Sequence, residues 1–446
     1  MQTNRFQLPA GKIQNLVTLA NSGKRKAALK EAKLFEKSYP RDPALKNFIG
    51  VIYASIGNED LAVKNFKSII KNSPSYIPAY TNLANCFSQK CKYSDAIKTL
   101  NQALKAKKDA PDVFVALGAN YQMNGELTNA IASYRSALAL NPKHLEGWIN
   151  LGNTLWESGK PKLASDAYIE ALNISPNNNV AASYLIDTFH FVNSQKNETS
   201  PYCKANYDIK KLEASYGIQK FASNPFIYDF LHECEKILQI NELMVNYRNT
   251  QIYRMPAKSL NCERHKSIFE SHTIIPKFCF GCIKIQIDMS QVSDLVRLLL
   301  LFDKSDFLSK NIRKCMIEMR EGVAGSYKGL IYCSNLQEAE GILKKLQLSL
   351  EGFTNCQPGY RIKRGCTEFD QAFPGYSKAL SIVDEMMPYD PNWEQIEKNW
   401  DLNQPKRIFV PSSTVTGISL ADFLIIKNWF AYGQKNDDKN ARTKGY

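Results

Sequence analysis

A sequence repeat with a period of about 34 residues occupies the first two fifths of this chain of 446 residues. Its two clearest copies begin at Pro111 and at Leu145, and matching positions carry similar residues. These positions pair Phe114 with Trp148, Leu117 with Leu151, Gly118 with Gly152, Gly125 with Gly159, Ala130 with Ala164, Tyr134 with Tyr168 and Pro142 with Pro176. A repeat of this length indicates that each copy is one small structural unit that packs against its neighbours.

Each copy is predicted to be a pair of helices, because apolar residues recur through it at helical spacing. A glycine such as Gly125 allows the tight turn between the helices, and a small residue such as Ala130 lets them approach closely. A proline such as Pro142 ends the copy. One copy cannot bury its apolar face alone, so the copies are expected to stack into an all-α, right-handed solenoid with a concave groove.

On these residues the region resembles the tetratricopeptide repeat family, with five copies from about residue 9 to residue 178. The first copy is degenerate but keeps Gly23, Ala28 and Pro40. Residues 181–192 are predicted to form a capping helix, so the first domain would cover residues 9–195. The resemblance implies a function class, because tetratricopeptide arrays bind extended peptides or partner proteins.

Asparagines in the first helices of the copies are candidate partner-binding residues. They are Asn82, Asn85, Asn120, Asn150 and Asn153. The first two and the last two occupy matching positions, which resembles the asparagine ladders of superhelical tetratricopeptide arrays. An amide both donates and accepts hydrogen bonds, so it can pair with the main chain of a peptide of any sequence. Alternatively these are ordinary exposed helix residues, and the copy between the two pairs breaks the pattern with Ala116.

The rest of the chain has a different composition. Residues 196–220 are polar, carry Pro201 and are predicted to be a linker. Residues 221–435 are predicted to form an α+β domain, and residues 436–446 a disordered tail. From residue 283 the pattern predicts strand, helix, strand, strand, helix and strand, the ferredoxin-like order of a four-stranded antiparallel sheet covered by two helices. The expected fold class is therefore multidomain, an all-α tetratricopeptide solenoid followed by an α+β domain.

Two pairs of potential metal ligands precede the first of these strands. Cys262 and His265 are separated by two residues, as are Cys279 and Cys282. Two-residue spacings let both ligands of a pair reach one ion from a tight turn, and Gly281 supplies backbone freedom for it. Three thiolates and one imidazole would make a closed tetrahedral zinc site, which resembles that of zinc ribbons. We therefore predict a structural zinc ion.

Other interpretations of these cysteines stay open. The stretch FCFGC is very apolar, so Cys279 and Cys282 could be packed beside the strand without any metal. His272 is a rival ligand to His265. An iron–sulfur cluster could use Cys315, Cys333 or Cys366, and Cys279 with Cys282 could be a redox dithiol.

The function expected from the sequence is that of an adaptor or scaffold that binds an extended peptide or partner protein in its groove. One alternative is an enzyme whose second domain uses Arg320, Lys328 and Arg364, with the repeats delivering a protein substrate. Another is an RNA-binding protein, because the net charge is +14 and the strand–helix order is shared with RNA-recognition motifs. The first residues contain no apolar secretion signal and no apolar run could span a membrane, so we expect a cytoplasmic protein.

Overall fold

The computed structural model describes residues 7–256, 260–320, 326–376, 387–403, 413–436, 438 and 441. The chain divides into two compact units. The first runs to Ser158, and the second contains the described residues from Gly159 onward.

The first unit is built from helices that alternate with short turns. They are α1 (Ala10–Asn21), α2 (Arg25–Ser38), α3 (Pro43–Ser55), α4 (Glu59–Asn72), α5 (Ile77–Gln89), α6 (Tyr93–Ala106), α7 (Pro111–Met123), α8 (Leu127–Leu140) and α9 (Leu145–Glu157). Each helix packs against the next one along the chain. Short connections favour this pairing of consecutive helices.

Small residues set the distance between the paired helices. Ala28, Ala62, Ala96 and Ala130 occupy the same position in four successive repeats, and each is completely buried. On the facing helix, a Cβ atom at Gly118 would lie only 2.6 Å from the ring of Tyr134. The aromatic ring therefore takes the space that a side chain at this glycine would need.

The turn inside each pair needs a left-handed backbone. Gly23, Gly57 and Gly125 adopt φ angles of 84°, 83° and 81° there. Cys91 occupies the same position of its repeat, and its φ angle is 55°. A residue with a Cβ atom is strained in this conformation, so the third pair keeps the turn at an energetic cost.

The second unit begins with further helices. They are α10 (Pro161–Ile174), α11 (Asn179–Thr188), α12 (Pro201–Lys220) and α13 (Asn224–Ile240). Helix α11 overlaps the predicted capping helix and packs on α10. Helix α12 covers all but the first five residues of the predicted linker of residues 196–220, and it buries Cys203, Ala205 and Ile209. Ala205 and Ile209 are four residues apart, which is a helical spacing, but the polar residues around them outnumber the apolar ones.

A five-stranded antiparallel sheet follows. Its strands are β1 (Gln251–Arg254), β2 (Ile283–Met289), β3 (Arg313–Ile317), β4 (Tyr327–Cys333) and β5 (Gly359–Arg364). They lie in the order β1-β3-β4-β2-β5. The last four strands are the ones predicted from the sequence. Strand β1, which is only four residues long and pairs with β3 at one edge, was not predicted.

Helices cover this sheet, and its two faces differ. The helices are α14 (Cys262–His272), α15 (Lys277–Phe280), α16 (Val292–Lys304), α17 (Leu336–Leu350), α18 (Thr367–Ala372), α19 (Trp393–Asn403) and α20 (Leu420–Lys435). In β2, Ile285 and Ile287 alternate with Lys284 and Gln286, so apolar and polar side chains leave opposite faces. Leu298 of α16 lies against the backbone of Gly329 and marks the apolar face.

The predicted tail lies mostly outside the described residues. The two tail residues that are described beyond α20 and its cap both make contacts. The carboxylate of Asp438 accepts a hydrogen bond from the backbone of Val292, at 3.0 Å, and Ala441 is completely buried.

Candidate functional site

The first candidate site is a groove in the first unit. The first helices of successive repeats, α5, α7 and α9, line it around a volume of about 370 Å³. Asn85 and Ser88 come from α5, Ala116 and Met123 from α7, and Glu146 from α9. Because one such helix recurs in every copy, the repeat itself generates this surface.

The five predicted partner-binding asparagines differ in how available their amides are. Asn85 is exposed and lines the groove, whereas the amide of Asn82 donates to the side chain of Asn47, at 2.9 Å. Asn120 is only 5% exposed. Its amide donates to the carbonyl of Ala116 at 2.8 Å and accepts from Ser88 at 2.6 Å, so it is committed to internal bonds.

The last predicted pair lies on α9. Asn150 and Asn153 are both half-buried. They lie on the helix that supplies Glu146 to the groove, but neither side chain is among the groove residues. The structure therefore places Asn85 and Asn120 together in the groove and does not bring all five asparagines to it.

A histidine that the sequence analysis did not single out joins two groove helices. His144 caps α9, where its Nδ1 atom accepts a hydrogen bond from the backbone of Gly147 at 3.1 Å. Its Nε2 atom lies 3.1 Å from the carboxylate of Asp112, at the start of α7. Because Nδ1 accepts, Nε2 carries the proton and donates it to Asp112.

The predicted zinc ligands lie in the second unit. Cys262 and His265 fall on the first turn of helix α14, not on a tight turn. The ring of His265 is 5% exposed and stacks on Phe278, with 5.1 Å between ring centroids. Burial, helped by the neighbouring Arg264, lowers the pKa of His265 to about 4. In this structure His265 is therefore buried and packed against an aromatic ring.

The second predicted pair is also packed. Cys279 lies in an apolar cluster with Ile275, Phe369 and Tyr376. Burial raises the pKa of Cys279 well above its usual range, and burial raises that of Cys282 to about 11. Within the part of the chain that the structure describes, no three His, Cys, Asp or Glu side chains are grouped so that they could hold a metal ion. In this structure the four predicted ligands are therefore not grouped around a single metal position.

The predicted ligands nevertheless border one cavity, which is the second candidate site. Its volume is about 500 Å³, and it lies between the polar face of the sheet and helices α14 and α18. Lys284 and Tyr332 lie opposite each other on β2 and β4, and Lys314 and Tyr253 lie opposite each other on β3 and β1. The ammonium groups sit 4.9 Å and 5.1 Å from the centroids of these rings.

A cysteine completes this cavity. Cys366, between β5 and α18, places its Sγ atom 3.2 Å from the Nζ atom of Lys284. Strands β2 and β3 were predicted from the sequence, but the residues that share a face of the sheet were not. The alternation of Lys284 with apolar neighbours was the available signal.

The three basic residues suggested for an enzyme site are not assembled into one. Arg320 and Lys328 both bind the carboxylate of Glu318, at 2.7 Å and 3.2 Å. Arg364 instead donates to the carbonyl of Tyr376, at 2.6 Å. The side chains of all three residues form ion pairs or hydrogen bonds with other residues of the protein.

The repeat region is similar in sequence to known protein families and proteins. Models of the tetratricopeptide repeat family match residues 56–119 and 115–179. Anaphase-promoting complex subunit 3 of Schizosaccharomyces pombe is 24% identical over 169 residues, which are 38% of this chain and 25% of that protein. The chloroplastic tetratricopeptide repeat domain-containing protein PYG7 of Arabidopsis thaliana is 29% identical over 126 residues, 27% of this chain and 42% of that protein.

A solved structure also matches. The protein TTC0263 of Thermus thermophilus, described as a thermophilic TPR protein, is 22% identical, with a TM-score of 0.35. The match covers 40% of this chain and 97% of that one. The chain spans less than half the length of the two curated relatives named above. None of the described helices is both long and apolar enough to cross a membrane.

Proposed function

We propose that this chain, whose N-terminal region belongs to the tetratricopeptide repeat family, is a protein-interaction scaffold that binds an extended peptide in its repeat groove. The observation that carries the proposal is the groove lined by α5, α7 and α9, in which the amide of Asn85 faces solvent. An exposed amide can exchange hydrogen bonds with a peptide backbone without first breaking an internal bond.

The rest of the groove suits an extended chain. Val115, Ala116 and Ala119 provide a shallow floor of small residues, so a main chain can come close. Met123, which is 42% exposed, is a flexible apolar contact. Asp112 and Glu146 add negative charge at one side, which favours a peptide with a basic residue there.

The relatives favour the same function class. The Schizosaccharomyces pombe relative is by name a subunit of the anaphase-promoting complex, and another relative is a general transcriptional corepressor. Both names describe proteins that act with other proteins. We carry over only this class, because the similarity covers a minor part of those proteins.

The experiment uses the full chain with a photo-crosslinking residue in place of Met123, followed by identification of the crosslinked peptide. The affinity of the synthetic peptide is then measured for the wild type and for the Asn85→Ala variant. We expect the variant to bind roughly five- to tenfold more weakly, since one hydrogen bond is worth about 1 kcal/mol. Asn65→Ala on α4 is the matched control, because this exposed amide bonds only to the carbonyl of Leu61 in its own helix. Equal affinities for all three proteins, or no crosslink at Met123, would contradict the proposal.

We also infer that the sheet of the second unit is of the ferredoxin-like class with one added edge strand. Support comes from the order β3-β4-β2-β5, all antiparallel, with α16 between β2 and β3 and α17 between β4 and β5. Zinc binding by Cys262, His265, Cys279 and Cys282 stays a prediction from sequence, and elemental analysis of the full chain beside Cys279→Ser tests it.

A further inference from the structure

The cavity of the second unit contains two buried ammonium groups. Lys284 is 3% exposed and Lys314 is 9% exposed, and both line the cavity. Removing an ammonium from water costs several kcal/mol unless a partner compensates for the lost hydration. The groups around the two lysines therefore determine whether the protein itself compensates for their lost hydration or whether a bound ligand would.

The two lysines differ in the polar contacts that they make. Lys284 lies 3.2 Å from the sulfur of Cys366, whereas the contact made by Lys314 is the face of the Tyr253 ring. In the part of the chain that the structure describes, neither ammonium forms an ion pair with a carboxylate. A cation–π contact compensates for a smaller share of the hydration than an anion does.

The nearby carboxylates are already paired. Glu318 binds both Arg320 and Lys328. Glu368 at the cavity rim also pairs with Arg320, and Glu270 lies 3.5 Å from Lys266. Lys314 thus faces the cavity as a cation that no carboxylate of the described residues pairs with. Burial, together with the neighbouring Lys284, lowers its pKa to about 8, so it is still mainly protonated at neutral pH.

The remaining walls are mostly apolar and aromatic. Phe269, Phe278 and Phe369 come from helices on one side. On the other side Tyr253 and Tyr332 come from the sheet, and Ile312 directly precedes β3. A volume of about 500 Å³ is that of a site for a small organic molecule. Such walls favour a ligand with an aromatic or other apolar body, because burial of that body removes apolar surface from water.

We propose that this cavity binds a small organic monoanion, a carboxylate or sulfonate on an aromatic or other apolar body, with its acidic group against Lys314. The acidic group is placed against Lys314 because, among the described residues, Lys284 donates a hydrogen bond to Cys366 whereas the contact of Lys314 is an aromatic ring. The tyrosine rings of β1 and β4 lie beside the body of the ligand, and Lys284 is near enough to add attraction for its charge. This binding function is separate from peptide binding by the repeats, so either can fail without the other.

The test is a fluorescence titration of the full chain with anilinonaphthalene sulfonate, a monoanion with an aromatic body, and with the neutral N-phenylnaphthylamine as comparison. We expect one saturable site for the sulfonate and clearly weaker binding of the neutral compound. Lys314→Met should weaken sulfonate binding roughly ten- to hundredfold, the effect of losing one charged hydrogen bond. Lys314→Arg should retain most of it.

Two further variants keep the test decisive. Lys345→Met is the matched control, because Lys345 also lies over an aromatic ring, that of Phe307, but on the exposed surface of α17. It should bind the sulfonate like the wild type. Cys262→Trp fills the cavity from an exposed position and should abolish binding even if Lys314→Met does not fold. Sulfonate binding that survives both Lys314→Met and Cys262→Trp, or equal affinity for the neutral compound, would overturn the proposal.

Discussion

The guanidinium group of Arg254 donates two hydrogen bonds to the carboxylate of Asp422, at 3.1 Å and 3.0 Å, although 168 residues separate them. Arg254 ends the edge strand β1, and Asp422 belongs to the capping box of α20. The same guanidinium binds Asp303 at the end of α16, at 2.6 Å. All three side chains are 1% exposed. One arginine thus holds a strand and two helices together.

Loss of this arginine is expected to destabilise the second unit strongly. Arg254→Met leaves two buried carboxylates without their partner, so we expect the free energy of unfolding to fall by about 3–5 kcal/mol. Urea denaturation followed by tryptophan fluorescence measures this, because Trp429 of α20 is buried in the same unit. Arg361→Gln is the control, because Arg361 is 52% exposed in its pair with Asp288 and should cost less than about 1 kcal/mol. Equal losses in the two variants would contradict this account.

The left-handed turn at Cys91 predicts a stabilising substitution. Cys91 is exposed and has a φ angle of 55°, a conformation that costs a residue with a Cβ atom about 1–2 kcal/mol. Cys91→Gly removes this strain but adds backbone entropy to the unfolded chain, so we expect a net gain of up to about 1 kcal/mol. Slower native-state hydrogen exchange in α5 and α6 would report it. Gly125→Ala, at the same position of the next repeat, should destabilise its helix pair and speed up hydrogen exchange there. Faster exchange in Cys91→Gly would refute the assignment of strain.

Close helix packing at Gly118 predicts a large effect from one methyl group. A Cβ atom there would lie 2.6 Å from the ring of Tyr134, which is completely buried and has little room to move. We expect Gly118→Ala to destabilise the first unit by about 1–3 kcal/mol, as overpacking does in other cores. Gly341→Ala is the comparison, because nothing lies near its added methyl group inside α17. That variant should gain about 0.5–1 kcal/mol. Thermal unfolding by circular dichroism distinguishes the two, and an unchanged melting temperature for Gly118→Ala would rule out the clash.

Acid sensitivity is expected at Glu318. Burial by itself raises the pKa of this carboxyl, but hydrogen bonds from Arg320 and the ammonium of Lys328 outweigh burial and lower it from 4.5 to about 2. A depressed folded-state pKa contributes stability that is present above pH 4.5 and is lost as the pH falls toward 2.

The measurement is urea denaturation of the wild type and of Glu318→Gln at a series of acidic pH values. The stability difference between them should be largest above pH 4.5 and should shrink as the pH falls toward 2. Glu394→Gln removes an exposed carboxylate paired with Lys398 at 3.2 Å and should change the profile little. A difference that does not vary with pH would show that Glu318 acts through packing alone.

The sequence by itself determined the repeat region. Positions such as Ala96 and Ala130 recur once in every copy, so the contacts of each copy are local and repeat along the chain. Strands β2 to β5 were also predictable, since their alternating or β-branched residues carry a local signal. Short β1 carried too little of that signal. Helix α12 was predicted as a linker because the polar residues of this stretch outnumber the apolar residues on the buried face of the helix.

Only the tertiary structure decided which contacts the polar residues of the second unit make. Cys262 and His265 have the spacing of metal ligands, but α14 places them on a helix, and His265 packs against Phe278. Lys284, Lys314 and Cys366 meet in one cavity although they come from separate segments. A spacing motif reports residues that are close along the chain, whereas the pairing of strands in an antiparallel sheet brings together residues that no local pattern connects.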